Sequence, residues 1–245
     1  MLSNKFPNQV FVIGGGHSIK EGFSYGLPEI LKNKFTIGLN WSFHHFPDCT
    51  FYSYVDKGSF FEKAGKDTLE KLPLIVCKDW GINHLPNTIP LCASSMYHRE
   101  LYPPKPYPQN KGVYSAKLVG LFALTLAIYL IQEGTIYLLG YDGGSVLNEQ
   151  KDQKNRILTH YYQEEGNIKH NGIGRVNWYK QKDRLTREFA PYQNEERVKI
   201  YNVSPNSNID TFEKIGYEEF IKRGKAISES NQAILREDIK KKLLI

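Results

Sequence analysis

A chain of 245 residues with 40% hydrophobic and 24% charged residues is long enough to form one large soluble domain with a substantial core. The net charge of +6 favours an anionic partner such as a nucleotide, a nucleic acid or an acidic glycan, although much of this charge lies in the last fifth of the chain. The longest apolar segment, Val119 to Ile131, is too short to span a bilayer, and the N-terminus has no signal-peptide pattern. Three cysteines without metal or redox spacing predict a reduced, cytoplasmic setting.

The first predicted strand runs directly into a cluster of glycines. Val10–Ile13 is a short apolar run of the kind that is buried on both faces of a parallel sheet. Glycines let the backbone turn sharply and let a ligand approach, while a following serine offers a hydroxyl beside backbone N–H groups. The pattern predicts a phosphate-binding turn formed by Gly14, Gly15, Gly16, His17 and Ser18. A plain tight turn is the equal alternative, because Ile19 leaves the dinucleotide motif G-x-G-x-x-G incomplete.

Polar residues follow the next strands of the predicted sheet. In chain order we predict short helical structure within 20–34, strands Phe35–Leu39 and Thr50–Val55, a helix from a capping box at Ser59 to about Leu72, and strands Leu74–Cys77 and Ile89–Ala93. Asn40 follows the second strand and Asp56 follows the third. Ligands of open parallel sheets bind at the carboxyl ends of the strands, so both residues are predicted to contact a nucleotide.

The middle of the chain predicts half of a right-handed crossover unit. After a proline-rich loop, Gly112 leads into an apolar helix over Val113–Gln132, which Gly134 ends. The strand Thr135–Gly140 follows and closes on Tyr141-Asp142-Gly143-Gly144.

The second half combines a polar insertion with late sheet elements. Residues 145–196 contain few aliphatic side chains and predict a lid over the carboxyl edge of the sheet. Val198–Val203 predicts a strand, and Asp210 with Glu213 predicts the start of a helix. The segment from Ser228 predicts a final helix that packs on the body or on a partner chain. We therefore predict one Rossmann-like α/β domain over 1–227, with a mostly parallel twisted sheet flanked by helices, and a C-terminal helix over 228–245.

Two residues are the predicted centre of the chemistry. Asp142 could accept hydrogen bonds from a ribose or a base, or orient an acceptor hydroxyl, and the alternative is a turn aspartate. His160 lies in the insertion between hydroxyl side chains and is the predicted general base, with His170 as the competing candidate. No Asp-x-Asp occurs in the chain, so no divalent-metal site for a diphosphate is predicted. The negative charge of the leaving group would instead be stabilised by Tyr161, Tyr162, Lys169 and Arg175. Basic residues within 169–187 could also grip nucleic acid beside Trp178 and Tyr179, or form an ordinary basic surface.

Several of these segments, taken in order, resemble one superfamily. The turn Val12–Ile19 resembles the opening Gly-Asn-Gly-Pro-Ser-Leu turn of bacterial lipooligosaccharide sialyltransferases and of the related motility accessory factors and hydroxymethylpterin diphosphokinase-like proteins. Leu39–Phe43 resembles their nucleotide-contacting Asn segment, and Gly112–Tyr114 with Ile136–Asp142 resembles their central helix and next strand. Ile200–Ser207 resembles their Cys-Pro-Asn-Ser segment. Gly-Tyr-Asp followed by Thr-His-Tyr-Tyr is similar to phage-encoded members.

The resemblance implies a nucleotide bound across the carboxyl edge and metal-independent transfer with a histidine of the insertion as base. Gly15 stands where the family has its nucleotide-binding Asn, and His17 where it has Pro, so nucleotide binding carries over better than the identity of the donor. The leading hypothesis is an inverting glycosyltransferase that uses a nucleotide-sugar cosubstrate and no tightly bound cofactor. Its predicted catalytic residues are His160 and Asp142, and its predicted nucleotide-binding residues are Gly14, Gly15, Gly16, His17, Ser18, Asn40, Asp56, Gly112, Gly143, Tyr161, Tyr162, Ser204, Asn206 and Ser207.

The acceptor and the reaction class stay open at this point. The basic charge and the phage-like pattern predict a hydroxymethylated base in phage DNA, flipped from the stack, in the host cytoplasm; a glycan or a small molecule is the alternative. A diphosphokinase-like phosphotransferase would instead require ATP and magnesium. A non-catalytic module for nucleotides or nucleic acid would bind without turnover.

Overall fold

Within the residues that the structure describes, eight parallel strands form one continuous sheet. The computed structural model describes residues 6–56, 60, 62–79, 85–91, 118–143, 160–161, 182–225 and 227–244. The strands are β1 (Gln9–Ile13), β2 (Thr36–Leu39), β3 (Phe51–Tyr54), β4 (Ile75–Lys78), β5 (Thr88–Leu91), β6 (Gly134–Leu139), β7 (Val198–Val203) and β8 (Glu213–Lys214). Their order in the sheet is β5-β4-β3-β2-β1-β6-β7-β8, and every pairing is parallel. The predicted Rossmann-like α/β fold is confirmed.

Helices cover both faces of this sheet. They are α1 (Ile19–Ser24), α2 (Leu27–Leu31), α3 (Glu62–Ala64), α4 (Lys66–Leu69), α5 (Val119–Ile131), α6 (Lys182–Phe189), α7 (Tyr217–Lys225) and α8 (Gln232–Leu244), with 3-10 helices at Asn40–His44 and Ala190–Tyr192. One core layer packs α5, α6 and α8 on the sheet, and the other packs α1, α2 and α7 on the opposite face. The central strands β1, β2 and β3 are buried on both sides, which explains their apolar sequences, whereas the outer strands β5 and β8 are partly exposed.

Two local predictions about secondary structure were wrong. The helix expected from Ser59 to Leu72 is two short helices, α3 and α4, separated by Gly65, and Ser59 lies outside the described residues. Asp210 and Glu213 do not begin a helix: Glu213 lies in β8, and α7 begins only at Tyr217. A two-residue edge strand leaves no alternating pattern in the sequence, so the acidic pair resembled a helix start.

The end of α5 also differs from the prediction. The helix ends at Ile131 and Gln132 takes φ +64°, while Gly134 is already the first residue of β6. A Cβ atom at Gly134 would lie 1.9 Å from the carbonyl oxygen of Asn8. This glycine is therefore required by the close approach of β6 to the segment that enters β1, not by the end of the helix.

The insertion between β6 and β7 contributes to the core as well as to the carboxyl edge. Its described residues are 160–161 and 182–196. Leu185, Phe189 and Tyr192 belong to the same core layer as α5, and Phe189 meets the ring of Tyr141 edge-on at 6.2 Å. The last third of the polar insertion is thus built into the domain.

Helix α8 packs on its own chain. Leu235, Ile239 and Leu243 are buried in the core layer of α5, as the spacing predicts. Asn231 caps the helix by accepting hydrogen bonds from the amides of Ala233 and Ile234 at 3.1 and 3.2 Å. Across the described part of the chain, no helix combines the length and the apolar character that a membrane span needs.

The order of the strands creates a switch point between β1 and β6. From β1 the chain proceeds outward through β2 to β5, whereas β6, β7 and β8 extend the sheet in the other direction. The loops that leave β1 and β6 therefore diverge at one place on the carboxyl edge, where doubly wound sheets bind ligands.

Candidate active site at the switch point

The glycine turn after β1 packs directly against the loop after β6. The amide of Gly14 donates to the carbonyl oxygen of Leu139 at 2.7 Å, and the amide of Gly16 donates to that of Gly140 at 2.9 Å. A Cβ atom at Gly14 would lie 2.7 Å from the Gly140 oxygen, and one at Gly16 would lie 2.5 Å from the Asp142 carboxylate. These two glycines therefore allow the turn to pack closely against the loop after β6, rather than against a ligand.

Asp142 joins the two loops through its carboxylate. Its Oδ2 atom accepts the Ser18 amide N–H at 2.9 Å, and its Oδ1 atom accepts the hydroxyls of Ser18 at 2.5 Å and Ser204 at 2.8 Å. The side chain is 8% exposed and lies at the beginning of α1, where a negative charge is favourable. Both carboxylate oxygens are engaged, so this geometry suits a residue that holds the site together.

The segment after β7 supports the same loop. Ser207 Oγ donates to the carbonyl oxygen of Tyr141 at 2.6 Å, and the amide of Asn208 donates to that of Asp142 at 2.9 Å. Gly143 continues the loop against Ile209. The hydroxyls of Ser204 and Ser207, predicted to contact a nucleotide, therefore act on Asp142 and on the backbone, whereas the neighbouring Asn206 is exposed.

Asn40 differs from these residues because its side chain is not satisfied by the protein. It follows β2, the neighbour of β1, and takes φ +49°. Its Oδ1 atom is buried and has no hydrogen-bond partner among the described residues, and the same holds for the Nε1 atom of the next residue, Trp41. A buried unsatisfied polar atom costs about 1–3 kcal/mol, and left-handed backbone at a non-glycine residue adds strain. Such costs are concentrated at functional sites, which agrees with the predicted ligand contact of Asn40.

His160 and Tyr161 lie beside the glycine turn. The amide of Tyr161 donates to the carbonyl oxygen of Gly15 at 3.0 Å, and the preceding residue, His160, is partly exposed. His17, within the turn, is also partly exposed. The structure thus brings two histidines, the glycine turn and the Asp142 loop to one edge of the sheet.

The other predicted site residues fall in two groups. Asp56 is exposed at the end of β3, two strands away from β1. The remaining ones lie outside the described residues, and these are Gly112, Tyr162, Lys169, His170, Arg175, Trp178 and Tyr179.

Two residues beneath the site were not predicted from the sequence. Tyr217, at the start of α7, is fully buried, and burial raises the pKa of its phenol well above the usual value, with the nearby charge of Asp142 adding to this rise. Phe23 in α1 packs on Tyr161 with the rings 5.7 Å apart. No motif marks either residue, and only the meeting of separate elements shows their position.

A separate cleft of about 260 Å³ opens between α2 and the segment that enters β3. Its lining includes Pro28, Lys32, His45 and Asp48, and none of the predicted site residues. Among the described residues, no group of three or more His, Cys, Asp or Glu side chains is arranged to hold a metal ion.

Comparisons with known proteins give no assignment. No family model, no curated protein and no solved structure matches the chain. The resemblance to the sialyltransferase superfamily stays a prediction, and the geometry of the site carries the functional argument.

Proposed function

We propose that the protein is a glycosyltransferase that binds a nucleotide sugar at the switch point and transfers the sugar to an acceptor hydroxyl. The observation that carries this proposal is the convergence of the glycine turn, the Asp142 loop and His160 at the crevice between β1 and β6. A fold of this kind supports many reactions, so the reaction class is argued from these side chains.

The residues divide into a binding set and a reacting residue. Within the turn Gly14–Ser18, the amides of Gly14, Gly16 and Ser18 donate inside the protein, so the Gly15 amide would be the contact to a phosphate. Asn40 would accept a hydrogen bond from a ribose hydroxyl or a base N–H group, which would satisfy its buried oxygen. Asp142 would keep these elements in place through Ser18 and Ser204.

The reaction would be a direct displacement. The imidazole of His160 takes the proton of the acceptor hydroxyl, whose oxygen forms a bond to the anomeric carbon of the sugar. The bond from that carbon to the phosphate oxygen breaks, and the nucleotide leaves with the electron pair. An inverting transfer of this type needs one base, and His160 is the histidine of the insertion that lies beside the glycine turn.

The acceptor is proposed from charge alone. The chain carries a net charge of +6, which favours a polyanion, and a hydroxymethylated base in DNA supplies both the phosphate backbone and the hydroxyl. A glycan or a small molecule with a free hydroxyl is the alternative acceptor.

A ligand screen followed by a transfer assay tests the proposal. Thermal stability is measured with UDP, CMP, GDP and ATP compounds and their sugar derivatives, with and without magnesium. We expect stabilisation by one nucleotide sugar in the presence of EDTA, and transfer that falls at least 100-fold in His160→Ala. Stabilisation by ATP and magnesium alone would favour the phosphotransferase, and binding without turnover of any donor would favour a binding module.

A further inference from the structure

The ring of Tyr161 is enclosed in an aromatic socket that belongs to two elements beside the glycine turn. Its side chain is 2% exposed. The ring meets Phe23 of α1 edge-on at 5.7 Å and lies 5.2 Å from the ring of His45, which follows β2. Phe23 and His45 also touch each other, with ring centres 5.3 Å apart.

A hydrogen bond fixes the backbone of the same residue. The Tyr161 amide donates to Gly15, so the peptide that links His160 to Tyr161 is held against the turn at 3.0 Å. The Cα atoms of consecutive residues are about 3.8 Å apart, which restricts the backbone of His160 to the immediate surroundings of Gly15.

We propose that Tyr161 is a positioning residue that holds His160 at the glycine turn, with Phe23 and His45 as its socket. The catalytic part of this inference rests on the proposed function, whereas the anchoring of the segment does not. It gives Tyr161 a different role from the leaving-group contact that the sequence suggested. An enclosed ring with a tethered amide is built to fix a backbone, and general-base catalysis depends on the position of the base to within a fraction of an ångström.

A double-mutant cycle on transfer tests the positioning role. We expect Tyr161→Ala to lower kcat 10- to 100-fold with a smaller change in the KM for the donor, and Tyr161→Phe to restore most of kcat because the ring refills the socket. In the background of His160→Ala, Tyr161→Ala should lower kcat by less than twofold, because the residue that it positions is already absent. If Tyr161→Ala lowered kcat by the same factor in the His160→Ala background as in the wild type, the positioning role would be overturned. The glycosyltransferase proposal would then remain intact.

Hydrogen exchange tests the anchoring without any substrate. The Tyr161 amide should be protected in the wild-type protein, and Tyr161→Ala should raise the exchange rate at position 161 at least tenfold. Unchanged protection at this amide would show that the ring does not anchor the segment. If the wild-type protein transferred no sugar, the proposed function would fail. Hydrogen exchange at the Tyr161 amide would still test whether the ring anchors the segment, because it does not depend on activity.

Tyr192→Ala is the matched control. Tyr192 is also 2% exposed, but its ring packs in the core layer on the opposite face of the sheet. We expect this variant to lose thermal stability and to keep both kcat and the protection of the Tyr161 amide. A comparable loss of kcat in the control would show that general destabilisation explains the effect of Tyr161→Ala.

Discussion

Asp142 and Ser18 are joined by two hydrogen bonds although they lie 124 positions apart in the chain. The amide and the hydroxyl of Ser18 both donate to the Asp142 carboxylate, at 2.9 and 2.5 Å. This pair joins the two loops of the switch point, because Ser18 is the N-cap of α1 and Asp142 lies in the loop that leaves β6. The integrity of the candidate site therefore depends on a contact inside the protein.

Replacing Asp142 by Asn should destabilise the fold. The amide group would turn an NH₂ donor toward the donors of Ser18 or Ser204, so we expect a loss of about 3 kcal/mol in the free energy of unfolding by urea. Ser204→Ala removes one donor and keeps the carboxylate, and should cost about 1 kcal/mol. An Asp142→Asn protein as stable as the wild type would show that the carboxylate does not hold the two loops together.

Replacing Gly16 by Ala should also be costly. The new methyl group would lie 2.5 Å from the Asp142 carboxylate and 2.6 Å from the Gly140 oxygen, neither of which can move freely. We expect a loss of about 2–3 kcal/mol, measured by urea denaturation. Gly216→Ala is the control, since its nearest neighbour would be 4.0 Å away, and it should cost no more than about 1 kcal/mol, from the change of the N-cap residue of α7.

Asn40→Gly should weaken binding of the nucleotide sugar without lowering the stability of the free protein. Glycine accepts φ +49° without strain and removes the unsatisfied Oδ1 atom, so the free protein should be as stable as the wild type or more stable. The thermal stabilisation by the nucleotide sugar should shrink, with binding weakened about tenfold, or about 1.4 kcal/mol. Full retention of the ligand-induced shift would exclude Asn40 from the binding site.

Glu195 should give a pH-dependent contribution to stability. Hydrogen bonds from the Arg197 guanidinium hold the pKa of this carboxyl below its ordinary value of 4.5, against the opposing effect of burial. The ion pair, at 2.6 Å, therefore stabilises the folded state fully above pH 4.5, and this contribution is lost as the pH falls through the folded-state pKa.

The matched variant for this ion pair is Glu195→Gln. We expect it to be less stable than the wild type by about 2 kcal/mol at pH 7 in urea denaturation, and the difference should shrink steadily below pH 4.5. A difference that stays constant down to the acid transition would assign the effect to packing.

Helix α8 should be required for the stability of the whole domain. Ile239 is fully buried in the core layer of α5, so Ile239→Ala should cost about 2–5 kcal/mol in urea denaturation. Ile234 lies on the same helix but is 60% exposed, and Ile234→Ala should change stability by less than about 0.5 kcal/mol. Equal effects of the two substitutions would contradict the packing of α8.

The strands β1 to β7 could be predicted because each is a short, largely apolar run. Val198–Val203 was predicted with the bounds that the structure has, and β1 to within one residue. The carboxyl-edge positions of Asn40, Asp56 and Asp142 followed from the same reasoning. The wrong predictions concern features that leave only a weak pattern in the sequence, namely the two-residue strand β8 and the break between α3 and α4.

The roles within the site could be predicted less well. The sequence placed Asp142 and the glycine turn at the same edge, but it carried no sign that Ser18 and Ser204 satisfy the carboxylate. The socket of Tyr161 was hidden for the same reason, because Phe23 and His45 lie on other elements. Tertiary contacts between distant segments decide which polar residues serve the ligand and which serve the protein.

The packing of α8 has a consequence for synthesis on the ribosome. Its Arg236 side chain donates to the carbonyl oxygens of Thr50 and Cys49, and Gln232 Nε2 donates to that of Lys34 at 3.0 Å, so α8 contacts the segments that enter β2 and β3. These early strands leave the exit tunnel long before α8 does, and their core layer stays open to solvent during that time. The nascent chain therefore exposes an apolar surface that chaperones would recognise until α8 has emerged and docked.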